Sequence, residues 1–302
     1  MTPESDAGDA AEGGSPAILS IGAAAIDEWY AVSNLPEPDG GAFASEVTSA
    51  FGGVGANVAV GLDRLGRDAG LVSRVGDDEY GRRALAYLDE TGVDGTHVAV
   101  GDDAHTRSLI LRDPDGERAI VTAGESFRGL RPDGDALAAM AGADAVFLTA
   151  YAPDVAARQV LDRVESLRER AAGEPGVEPP ALVFDLSGPV EELVGRGTEP
   201  ATIHRFLGRA DLFVSDGVAA PAFFGSAADA VERVAAAQRR GGRTGGRSRD
   251  SLAVAARRVV APGGPHARRG RDDGGRRRRG LAVRRVRGRD GRRDRGRRRV
   301  HR

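Results

Sequence analysis

Two features of the chain carry groups that could grip hydroxyls. The stretch Phe51 to Asn57, FGGVGAN, runs directly into an apolar repeat at Val54, Val58, Leu62 and Leu65, so a glycine-rich loop opens an amphipathic helix closed by Gly66. Glycines at Gly52, Gly53 and Gly55 let a ligand come close to the backbone, the helix start presents free N–H groups, and the Asn57 amide both donates and accepts. The second feature is Asp27, a carboxylate five residues beyond Gly22, which ends the apolar run Ile18 to Ile21. A carboxylate and an amide brought together suit adjacent hydroxyls on a polyol. Taken alone, a glycine pair before an apolar helix is more often a packing turn, and an acid after a strand can be an exposed turn residue. Asp77 and Asp78 form an acidic pair, for which helix N-capping is the expected role.

The inventory removes several chemistries. The chain of 302 residues has no cysteine, which excludes disulfides and thiolate nucleophiles. All 43 basic residues are arginine, so neither a P-loop lysine nor a Schiff-base lysine exists. The five histidines form no cluster with metal-ligand spacing, and no metal-ligating residues are assigned. No apolar run approaches the roughly 20 residues that span a bilayer. The first residues are acidic, small and polar, unlike a signal peptide. A cytoplasmic protein with no membrane partner is expected.

Elements that would position these groups follow in a regular order. Strands are expected at 17–22, near 28–33 and near 42–49, a helix at 54–65, a strand at 69–74 and a helix at 79–91. Strands near 97–100, 107–112 and 118–122 come next. Beyond Pro132 a helix at 133–141, a strand at 144–148, a helix at 153–171, a strand at 181–186, a helix at 200–209, a strand at 211–215 and a helix at 227–239 alternate. That alternation predicts an α/β fold with a doubly wound, mainly parallel sheet, whose ligands bind beyond the carboxyl ends of the strands. Asp27, Gly52 to Asn57 and Asp185 would converge there.

Read together, Ala17 to Gly92 resembles the N-terminal half of the ribokinase-like, or PfkB-type, carbohydrate kinases. The acid after the first strand, the GGVGAN loop and the VGDDEYG turn match in order, and the likeness continues through the hairpin Leu109 to Val121 and through ADAVFL at Ala143 to Leu148. The resemblance implies transfer of the ATP γ-phosphate to a sugar hydroxyl with Mg2+, beneath a small β-lid through which two copies could pair as a homodimer. It implies that Asp27, Gly52, Gly53, Gly55 and Asn57 contact a sugar or sugar phosphate. Arg107, on a lid strand, could meet a phosphate or carboxylate on the substrate, although a solvated strand face is the commoner explanation of one arginine. Tyr151, a further substrate-binding candidate, stands where ribokinase carries a glutamate, so the resemblance does not imply ribose specificity, and Asp216 and Ala219 stand where the family has its N-x-x-E element. Asp185 and Asp216 are the candidates for the nucleotide side. The family's glycine-rich motif with the catalytic base is absent as written, so no catalytic residue is assigned.

Charge divides the chain. From Arg239 to Arg302 there are 25 arginines and 5 aspartates, a net +20, which leaves −22 on the preceding 238 residues. The expected organisation is an acidic disordered tail at 1–15, a ribokinase-like domain at 16–238 with lid strands near 28–49 and 97–122, and an Arg/Gly-rich disordered stretch at 239–302. Such a stretch could be a nucleic-acid-binding arm, but it lacks the aromatic residues that stack on bases. The alternative is a shifted reading frame in GC-rich DNA. Read one base later, Asp272 to Gly280 permits Thr-Thr-Ala/Gly-Gly-Ala-Gly-Asp-Ala, which matches all but the first position of the family motif D-T-x-G-A-G-D. Frame shift is the favoured reading, with an inactive kinase or a catalytically dead sugar-binding protein as its consequences.

Overall fold

The computed structural model describes residues 15–188 and 190–226, with isolated positions at 229, 232, 233, 236 and 284–285. Residues 1–14 and nearly all of 239–302 lie outside them, as does most of the helix expected at 227–239. The expectations of disorder, of a frame shift and of a nucleic-acid arm therefore fall outside the described residues.

The main sheet is wholly parallel, in the order β10-β9-β8-β1-β4-β5, and its strands are β1 (Ile18–Ile21), β4 (Ala69–Gly76), β5 (Val98–Gly101), β8 (Ala145–Thr149), β9 (Ala181–Leu186) and β10 (Leu212–Ser215). A two-residue strand, β11 (Arg284–Arg285), pairs in parallel with β5. Parallel strands need crossover connections, here α1 (Val54–Arg64), α2 (Glu79–Asp89), α3 (Gly134–Ala139), α4 (Asp154–Gly173) and α5 (Pro200–Arg209). A short α6 (Ala219–Phe224) follows β10.

Two apolar clusters lie on opposite faces of this sheet. Leu19 and Ile21 of β1 and Val146 and Leu148 of β8 join α4 and α5 residues such as Val160, Leu161 and Phe206. The ring of Phe184 stacks on Phe206 at 4.2 Å and tilts against Phe213 at 5.6 Å. On the other face Leu71 and Val75 of β4 meet Ala56 and Ala59 of α1 and Ala84 and Leu88 of α2. Val183 of β9 and Val214 of β10 stay half-buried. The strand order reverses beside β1, so the crevice of a doubly wound sheet falls at the carboxyl ends of β1 and β8.

A second sheet of four strands, in the order β3-β2-β6-β7, is built from β2 (Ala25–Val32), β3 (Ala44–Gly52), β6 (Arg107–Arg112) and β7 (Arg118–Ala123). The strand expected near 97–100 as part of this lid is corrected: it is β5, which pairs with β4 in the main sheet because the chain crosses over only at Asp102 to Thr106.

Candidate functional site

The glycine loop is a continuation of β3. Gly52 pairs with Ala25 at the end of the β2–β3 ladder, which sets it against Asp27 two residues further along β2. A Cβ at Gly52 would collide with the Asp27 carboxylate, and even the carboxyl carbon would lie only 2.5 Å away. Gly53 caps α1 with φ 91°, a conformation that L side chains rarely adopt. Two residues further, a Cβ at Gly55 would meet the Gly22 Cα at 2.5 Å, so the first turn of α1 rests backbone to backbone on the end of β1. The Ser20 hydroxyl donates to the Gly55 carbonyl at 2.8 Å, and the Ala56 N–H donates to the Ala23 carbonyl at 3.0 Å. The neighbouring Ala24 N–H donates to the Ser73 hydroxyl at 3.0 Å. These bonds lock the rim on which Asp27 and the start of α1 stand. Asn57, in the first turn of α1, is exposed.

Asp27 pairs laterally with Ala50 and Ser108. Burial raises its carboxyl above the ordinary value, while a side-chain hydrogen bond with Ser108 pulls the other way. Ser108 is a neighbour that sequence reading did not single out, because only the β2–β6 register brings it beside Asp27.

Arg107 faces elsewhere. Side chains alternate along strands, so Asp27 and Ser108 share one face of the small sheet while Glu28 and Arg107 take the opposite face. There the Arg107 guanidinium donates to the Tyr80 hydroxyl at 2.8 Å and pairs with Glu28 at 3.5 Å. These contacts engage it with protein groups, on the face away from Asp27.

At the carboxyl ends of β8, β9 and β10 stand Tyr151, Asp185 and Asp216. Asp185 is buried, which raises its carboxyl; the Ser187 hydroxyl, donating at 2.5 Å, opposes this and the nearby Asp216 adds to it. The Tyr151 hydroxyl donates to Glu192 at 3.0 Å, and burial, followed by the Glu192 charge, pushes its ionisation upward. Asp216 accepts from the backbone N–H groups of Val218 at 3.0 Å, Ala219 at 2.7 Å and Gly188 at 2.9 Å. Its carboxylate therefore holds two turns together. Among the described residues no three His, Asp or Glu side chains gather as a metal site. With the Asp216 carboxylate taken up by three backbone N–H groups and that of Asp185 by the Ser187 hydroxyl, the described residues do not by themselves fit an ATP–Mg2+ site. Asp78 caps α2 by accepting from Gly81 N–H at 2.8 Å, as its position in the sequence suggests.

Residues 15–182 match the model described as pfkB family carbohydrate kinase. The chain belongs to that family. Similar curated proteins include the ATP-dependent ribose-1-phosphate kinase of Halopiger xanaduensis, 36% identical over 141 residues that make up 46% of this chain and 48% of the relative. Fructokinase-1 of Zea mays is 36% identical over 105 residues, 34% of this chain and 31% of the relative. The matches thus span about half, or less, of the length of these relatives. Among solved structures, Arabidopsis thaliana ribokinase complexed with ribose and ATP superposes with TM-score 0.59 at 21% identity, covering 75% of this chain and 70% of that one. Ribokinase from Giardia lamblia gives TM-score 0.60 at 22% identity, covering 74% and 66%. These likenesses establish the ribokinase fold of this pfkB-family chain. No described helix is long and apolar enough to cross a membrane.

Proposed function

We propose that the chain binds a sugar or sugar phosphate between Asp27, the loop Gly52 to Gly55 and Asn57, and descends from kinases that transfer the ATP γ-phosphate to a sugar hydroxyl with Mg2+. The observation that carries this reading is the apposition of Gly52 and Asp27, which keeps a partly desolvated carboxylate open to a ligand where any larger residue would fill the space. A carboxylate in such a position accepts from two adjacent hydroxyls, and charge-assisted bonds of this kind are stronger than neutral ones. The named activities of the relatives make pentoses and fructose, free or phosphorylated, the first candidates.

Phosphoryl transfer needs a base and donors around the transferred group. We assign neither to the described residues, and read the arginine-rich stretch after Gln238 as translated from a shifted frame. On this account the chain retains the sugar side of a kinase and turns over poorly. A kinase assay over ribose, ribose 1-phosphate and fructose tests it: turnover ordinary for a sugar kinase refutes the impairment. A gene with the frame restored across the codons for Gln238 to Arg247 should regain activity. Sugar binding without turnover by the present chain would favour its use as a sugar-binding protein.

We also propose that two copies pair through the small sheet, which leaves Phe43, Val47, Ile120 and Val121 exposed by 87%, 56%, 49% and 57%. Sedimentation showing only monomer at micromolar concentration would refute the pairing.

A further inference from the structure

Helix α2 begins in the body, immediately after β4, yet its first two turns touch three strands of the small sheet. The Tyr80 hydroxyl donates to Glu28 of β2 at 3.3 Å and accepts from Arg107 of β6 at 2.8 Å. The Arg107 guanidinium carbon sits 4.7 Å from the Tyr80 ring centre, and that of Arg83 sits 5.6 Å from it. Arg83 then donates to the Ser49 hydroxyl of β3 at 2.8 Å, and Phe51 of β3 stacks on Tyr87 at 6.2 Å. Glu28 is only 14% exposed in its side chain, so its pairing with Arg107 is partly screened from water.

The strands that carry this cluster also carry the sugar-facing residues, in alternation. Glu28 follows Asp27 on β2, Arg107 precedes Ser108 on β6, and Ser49 precedes Ala50 on β3. Each contact made by α2 on one face therefore fixes a neighbour on the other. The same helix start is tied to the crossover into the small sheet, since Asp78 accepts from the His105 N–H at 2.8 Å.

We propose that Glu28, Tyr80 and Arg107 form a latch that holds the small sheet at one angle to the body and so sets where Asp27 stands. They are positioning residues. The consequence for Asp27 rests on the sugar-binding reading above; the latch itself does not, and it can be tested with no sugar present. A merely structural cluster would change thermal stability when cut and leave the angle between the two sheets as it was. Cutting a latch changes that angle, whatever it does to the melting temperature.

Because the chain has no cysteine, Asp115→Cys at the tip of the β6–β7 hairpin and Glu169→Cys on α4 give two unique sites for nitroxide labels on the full chain. Pulsed dipolar spectroscopy should return one narrow distance distribution. In Arg107→Leu, which keeps an apolar stem and removes the charged head, the distribution should shift or broaden by several ångströms while the circular dichroism stays folded. An unchanged distribution in folded Arg107→Leu overturns the proposal. If that variant unfolds, Tyr80→Phe, which removes one hydroxyl and keeps the ring, decides in the same way.

Discussion

Gly52 and Asp27 are locked to each other by the β2–β3 ladder: the absence of a side chain at one is what leaves the carboxylate of the other open. Gly52→Ala should drive its methyl into Asp27 and weaken sugar binding about tenfold or more, the equivalent of roughly 1.4 kcal/mol. Gly61→Ala is the matched control. It lies inside α1 with nothing within 4 Å of its added Cβ, so it should leave binding unchanged and stabilise the fold by about 0.5–1 kcal/mol. Calorimetry and thermal melts of both variants separate the two effects.

Asp27 should show opposite effects on stability and binding. A carboxyl raised by burial holds its proton more tightly in the folded chain than in the unfolded one, so its ionisation costs stability as the pH rises through the folded value. Asp27→Asn should therefore raise the thermal midpoint at neutral pH by a few degrees while abolishing sugar affinity. A fall in the midpoint would contradict the cause assigned to the shift.

His105 predicts an acid sensitivity. Its ring is buried, its Nδ1 accepts from the Gly76 N–H at 3.3 Å, and its Nε2 has no partner among the described residues. Burial holds it near pH 4, against 6.5 unperturbed, although the charge of Asp78 opposes this. On acidification the unfolded chain takes up the proton first. Stability from the neutral ring is thus complete above about pH 6.5 and is lost as the pH falls towards 4, amounting to about 3 kcal/mol. Urea melts at pH 7 and near pH 4 should show this loss in the parent and its absence in His105→Gln.

Asp216→Ala should act on stability. Removing an acceptor shared by three backbone N–H groups should cost about 1–2 kcal/mol and leave sugar affinity within about twofold. A large loss of sugar affinity in a folded variant would instead return Asp216 to the ligand side.

In the core, Phe184→Ala removes the ring that stacks on Phe206 and tilts against Phe213, and should cost about 3–5 kcal/mol in urea melts.

Much of this was legible in the sequence, for local reasons. The helix at 200–209 and the strands at 107–112 and 181–186 fall where periodicity puts them. Asp78 is the cap that its place before a helix suggests. The missed helix α6, AAPAFF, has only six residues, an internal proline and no polar face to reveal a period. The strand β3 runs to Gly52 instead of ending near 49, because pairing with β2 carries the extended backbone into the glycine loop. The orientation of Arg107 is not local: its partners Tyr80 and Glu28 are distant in sequence, and only the β2–β6 register shows that it turns from Asp27. Ser108 was hidden for the same reason.

The central claim is that Asp27, held open by Gly52, grips a sugar. Isothermal titration of ribose, ribose 1-phosphate and fructose into the parent chain and into Asp27→Asn tests it most directly. Saturable binding of at least one of them by the parent, lost in folded Asp27→Asn, is the predicted result; no binding by the folded parent, or equal binding by both chains, contradicts it.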